Sequence, residues 1–105
     1  MSAVNLTNKQ FKELLHEQKP ILLDFWAPWC GYCRRIAPAY DRIAQQYGED
    51  VVVAKVNIDE EPELANAEKI EVIPTLVFYK GGKAVDFLVA PEAQATIAQF
   101  IQKNL

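Results

Sequence analysis

Cysteine and histidine are scarce in this 105-residue sequence, which holds two of the first, Cys30 and Cys33, and one of the second, His16. A structural zinc site takes four ligands of these types. One chain is therefore short of a set, and only a metal shared between two subunits stays open. His16 lies in FKELLHEQK, near the end of an expected exposed helix, where an imidazole sits well against the C-terminal dipole. Charge of one sign is also lacking. Eleven Lys and Arg against 14 Asp and Glu leave a net charge of −3. The basic residues are dispersed, without the stripe that a nucleic-acid binder shows. No apolar run approaches the ~20 residues that span a bilayer. The opening MSAVNLTNKQF has no basic segment followed by an apolar one, so no secretion signal is visible. The expected location is the cytoplasm, where lasting structural disulfides are rare. There is no internal repeat, low-complexity tract or linker, and the length suits a single domain over residues 1–105. With 50% hydrophobic residues the chain can fill one core unaided.

What the sequence does have is a dense cluster around its two thiols. In FWAPWCGYCRR, residues 25–35, only Gly31 and Tyr32 separate Cys30 from Cys33. A disulfide closing so short a loop gains little from chain entropy, because that gain grows with loop length. A reversible redox pair is favoured over a staple or a metal clip, provided that the pair sits within a βαβ pattern.

Periodicity supplies that pattern. Thr7 and Gln10 form a capping-box signature before the apolar stripe of Phe11, Leu14 and Leu15, and the helix should stop before Pro20. ILLDFW, residues 21–26, is too short for a helix and almost wholly apolar, as a strand covered on both faces is. Ile36, Tyr40, Ile43, Ala44 and Tyr47 fall at helical spacing, with Gly48 placed as a stop and Pro38 set to bend the helix unless it starts nearby. VVVAKVNI, residues 51–58, reads as a second buried strand. DEEPELANAEKI carries its acids in front and Pro62 in the first turn of a helix. TLVFYK, Gly81-Gly82 and KAVDFLV read as a hairpin with a tight turn. Pro91 is expected to open a last helix whose Ile97, Phe100, Ile101 and Leu105 share one face. The order, a short β-strand and then α-β-α-β-α-β-β-α, implies an α/β fold. Its central mixed sheet has about five strands, parallel with an antiparallel hairpin, flanked by four helices.

The cysteines therefore open a helix directly after a central strand. With Cys30 as N-cap, a thiolate there meets unpaired amides and the positive end of the dipole, which lowers its pKa and makes it nucleophilic near neutral pH. Cys33 falls at N3, within reach of the same sulfur, placed to resolve a mixed disulfide. Gly31 lets a partner backbone come close. Arg34 and Arg35 add positive charge but are expected to be solvated. Asp24, inside an apolar strand, should have a raised pKa through desolvation. It is then either an acceptor for the Cys33 proton or a structural acid held by hydrogen bonds.

DFWAPWCGYC, KVNIDEEP and VIPTLVFYKGG, in that order, resemble the thioredoxin family nearly end to end. That family is itself a standard example of the C-x-x-C motif near a βαβ unit. The resemblance implies the thioredoxin fold and the reduction of disulfide-containing proteins. It also implies recharging by a thioredoxin reductase and no cofactor or metal beyond the Cys30–Cys33 disulfide. It assigns attack to Cys30, resolution to Cys33 and a buried acid to Asp24. Lys55 matches a nearby lysine that pairs with the acid or else snorkels. Pro74 matches a cis-proline opposite the cysteines, leaving the backbone of Ile73 open to strand-like pairing with an extended substrate. Trp29, Ile73, Thr75, Val89 and Ala90 are the implied substrate rim. Neither nucleic acid nor membrane is implied as a partner, and the chain is expected to be a monomer.

Three departures stand out. Gly31-Tyr32 replaces the usual Gly-Pro. Tyr32 restores an N–H that proline lacks, which should favour the thiolate and make the disulfide more oxidising. Ala90 replaces a common glycine, and Arg34 a common lysine. The rival readings are a glutaredoxin-like enzyme using glutathione, an interaction or holdase module without turnover, and net oxidation of substrates.

Overall fold

The computed structural model describes residues 2–105. Strand β1 is Val4–Asn5, α1 Asn8–Leu15, β2 Ile21–Trp26, α2 Gly31–Tyr47, β3 Val52–Asn57, α3 Pro62–Ala67, β4 Thr75–Lys80, β5 Lys83–Val89 and α4 Gln94–Asn104. The five strands lie in the order β1-β3-β2-β4-β5. β1 and β2 run parallel to β3, whereas β4 is antiparallel to both β2 and β5.

Local chemistry sets most of these boundaries. Thr7 caps α1 in a reciprocal box with Gln10, each side chain meeting the other's backbone N–H. Gly81 and Gly82 both have positive φ, 63° and 79°, the turn that two glycines allow at a two-residue hairpin. Gly48 caps α2, though in a right-handed conformation. Pro38 lies within α2, which runs on through it. Its missing N–H leaves the Arg34 carbonyl without its partner one turn on.

The last helix starts later than the proline signal predicts. Pro91 is buried ahead of it, and α4 opens at Gln94 with Ala93 as N-cap and no side-chain cap. Pro91 belongs instead to the turn after β5, where its fixed φ suits a bend equally well. Leu105 also departs from its expected place: it lies past the end of α4 and is exposed, while Ile97, Phe100 and Ile101 are buried.

The sheet separates two cores. Leu22, Leu76 and Phe78 face α2 and α4, packing with Ile36, Tyr40, Ile43, Ile97 and Ile101. Ile21, Leu23, Phe25 and Val77 face the other way, with Phe11 and Leu64. β2 is thus buried on both faces, which explains its unbroken apolar character. Asp24 is the one charged residue on that strand, and it is 3% exposed.

Candidate active site

β2 ends in Trp26, and four intervening residues lead to the start of α2 at Gly31. Cys30 is the N-cap, in extended conformation, and Cys33 is at N3. The two are joined in a disulfide, with Cα atoms 5.2 Å apart. Cys30 Sγ accepts the Cys33 N–H at 3.1 Å. That bond satisfies one of the amides a helix start leaves free, and it would assist a thiolate at the same atom. The amide reaching the sulfur is that of Cys33. Tyr32, whose N–H was expected to act there, makes its hydrogen bonds through its side chain, donating from the hydroxyl to Pro91 O at 3.1 Å and to Ala90 O at 3.4 Å. Cys30 is 9% exposed and Cys33 only 3%. The two sulfurs are unequal toward any partner.

Opposite Cys30 lies the loop before β4. The Ile73–Pro74 peptide is cis, and Ile73 O is 3.9 Å from Cys30 Sγ. Buried Thr75 donates its hydroxyl to Val72 O. The Ala90 N–H donates to Pro74 O at 2.8 Å, tying the end of β5 to this loop. Ala90 itself has φ +45°, in the left-handed region that side chains disfavour. Trp29 and Val89 are 64% and 55% exposed, and half-buried Ile73 packs against Cys30 and Cys33. Exposed Arg34 donates to Pro28 O at 2.6 Å. Gly31 is exposed beside Cys30, open to a partner's approach.

Behind Cys33 is a cavity of about 60 Å³ lined by Asp24, Trp26, Cys33, Arg34, Ala37, Tyr40 and Lys55. It has room for a water molecule between acid and thiol. Asp24 Oδ1 makes no hydrogen bond to the protein. Burial pushes the Asp24 carboxyl up to about 7, against the opposing charge of Lys55. Lys55 is the register partner of Asp24 on β3. It forms no direct ion pair with it, and its ammonium lies 4.9 Å from the Trp26 ring centroid. Its ammonium thus meets an aromatic face in place of a direct ion pair with the acid.

Two residues of this arrangement carried no functional reading in the sequence. Tyr40 stands two helical turns after Cys33, on the same face of α2, lines the cavity with Asp24, and shares its hydroxyl proton between Leu22 O and Ala54 O. Asp59 accepts the Trp29 indole N–H at 3.0 and 3.2 Å. It lies within KVNIDEEP, but the pairing spans 30 residues and leaves no local signal.

Two comparisons with known sequences agree with this geometry. The family model described as Thioredoxin matches residues 2–103. The chain belongs to the thioredoxin family. It is 47% identical to Thioredoxin 1 of Nostoc sp. over 99% of this chain and 98% of that protein. It is 46% identical to the thioredoxin of Synechocystis sp. over the whole of both, and 38% identical to that of Alicyclobacillus acidocaldarius over 96% of this chain. The five-stranded mixed sheet with four helices is accordingly the thioredoxin fold. Membership together with the Cys30–Cys33 disulfide makes the protein a thiol–disulfide oxidoreductase acting on protein disulfides. Thioredoxins in general work with disulfide-containing substrates and a reductase. Among the described residues, no helix is long and apolar enough to cross a membrane, and no three potential ligands cluster to hold a metal.

Proposed function

We propose that this single domain reduces protein disulfides by two successive exchanges and is recharged by a thioredoxin reductase. The Cys30 thiolate attacks one sulfur of the substrate disulfide, forming a mixed disulfide and releasing the other substrate sulfur as a thiolate. Cys33 then attacks Cys30 Sγ, which frees the second substrate thiol and leaves the Cys30–Cys33 disulfide. Two electrons pass from the dithiol to the substrate. Asp24 accepts the Cys33 proton across the cavity, and solvent protonates the substrate thiolates. Lys55 tunes the acid at a distance. Ile73 pairs with the substrate backbone beside Pro74, and Trp29, Thr75, Val89 and Ala90 form the rest of the docking rim. The cytoplasm, where dithiols are kept reduced, suits this direction of flow.

The observation that carries this reading is the unequal placement of the sulfurs. Cys30 is at the helix N-cap and is the more exposed of the two, while Cys33 is at N3 and shares its cavity with the acid. The test is trapping. Cys33→Ser should accumulate a covalent adduct with insulin that a reductant dissolves, and Cys30→Ser should form none. Adduct formation through Cys33 alone would reverse the assignment.

A further inference from the structure

Three segments meet around the disulfide, and three contacts join them in a ring. Ile73 O touches Cys30 Sγ at 3.9 Å. The Ala90 N–H donates to Pro74 O at 2.8 Å. The Tyr32 hydroxyl closes the circuit, sharing its one proton between Pro91 O at 3.1 Å and Ala90 O at 3.4 Å. Among the described residues, no other hydrogen bond joins the first turn of α2 to the turn after β5. The phenol ring is half-buried, and the Arg35 guanidinium carbon lies 5.6 Å from its centroid, bracing it from the solvent side. The usual Gly-Pro pair of the family has no hydroxyl to offer here.

The held segment is one that would move if released. Ala90, at φ +45°, is in a conformation uphill for a residue with a Cβ. Such a conformation persists only where its surroundings over-determine it. Here those surroundings are the bond to Pro74 O on one side and the Tyr32 hydroxyl on the other. Val89, in register with Thr75, and Ala90, bonded to Pro74 O, lie beside the Ile73–Pro74 segment of the rim.

We propose that Tyr32 is a positioning residue whose hydroxyl latches the Ala90–Pro91 turn to the start of α2, holding open the groove in which a protein disulfide docks. This rests on the docking rim proposed above. The latch acts on the fraction of molecules that are ready to bind, so its loss weakens binding by the factor in which that fraction falls.

Tyr32→Phe removes the hydroxyl and keeps the ring. Reduced protein is mixed with increasing insulin, and tryptophan fluorescence gives the half-saturating concentration and the limiting rate. Half-saturation should rise about fivefold, the scale of one lost hydrogen bond, with the limiting rate kept within about twofold. Hydrogen exchange at the Ala90 amide should quicken by a similar factor. Unchanged half-saturation with unchanged exchange overturns the latch. So does a lower limiting rate at unchanged half-saturation, because the hydroxyl would then act on the sulfurs. If Tyr32→Phe does not fold, Tyr32→Leu, which also lacks the hydroxyl and keeps the backbone N–H, carries the same comparison. If the unsubstituted protein fails to reduce insulin, it is the proposed function that falls, and exchange at Ala90 still decides the latch.

Discussion

Asp24 and Lys55 are register partners on adjacent parallel strands, yet the ammonium lies over Trp26 and the carboxyl is left in its cavity without a direct ion pair. The acid thus keeps most of the cost of its burial.

That cost depends on pH. The folded carboxyl titrates at about 7, and the unfolded one near 3.9. Between these values the folded state binds more protons than the unfolded state, so stability falls as pH rises from about 4 to about 7. Asp24→Asn should remove this slope. In guanidinium unfolding it should be on the order of 2–4 kcal/mol more stable than the parent at pH 8 and near-equal at pH 4. An equal difference at both pH values would contradict the assignment.

The same substitution separates chemistry from stability. With the acceptor gone, resolution of an insulin mixed disulfide by Cys33 should slow about 10²-fold near pH 7. It should recover above pH ~9, where a thiol ionises unaided. Rapid quenching and counting of trapped adduct reads this directly. A loss that persists at high pH would assign Asp24 a purely structural role.

Ala90→Gly should stabilise the oxidised protein by about 1 kcal/mol, since glycine takes a positive φ without a Cβ clash. Thermal unfolding should shift upward by about 4–8 °C. A downward shift would mean that the alanine methyl packs better than its backbone suffers.

Tyr32→Pro removes the N2 amide from the start of α2. The Cys30 thiolate loses part of its electrostatic support, and the disulfide should become less oxidising by about 30 mV, or ~1.4 kcal/mol. The parent potential is expected above the roughly −270 mV of thioredoxin and below the −180 mV or so of protein disulfide isomerase. Equilibration with glutathione buffers measures both, and a parent value at or below thioredoxin's would show that Tyr32 does not tune the couple.

Local chemistry made most of the fold legible in the sequence. Thr7 and Gln10 announce a capping box, Gly81-Gly82 a hairpin turn, and the apolar run of β2 a doubly covered strand. Cys30 as N-cap and Cys33 at N3 follow from counting along one helix. Features that depend on distant chain segments were not readable in the same way. Pro91 carries a helix-start signal that the turn after β5 absorbs. The Trp29–Asp59 bond and the Tyr32–Pro91 bond each join residues far apart in sequence. Lys55 could be placed beside Asp24 from strand order, but its preference for the Trp26 ring required coordinates.

β2, which leads into the cysteines, pairs with β3 along all six of its residues and with β4 along five. The reacting sulfurs are therefore mounted just past the end of a strand that is paired along both of its edges. A scaffold so fixed behaves as a jig, and the exchange of bonds between the protein's own sulfurs stays within the few residues from Cys30 to Cys33. If the glutathione equilibration shows that Tyr32 tunes the couple, the potential is a local quantity, editable without rewriting the fold that carries it.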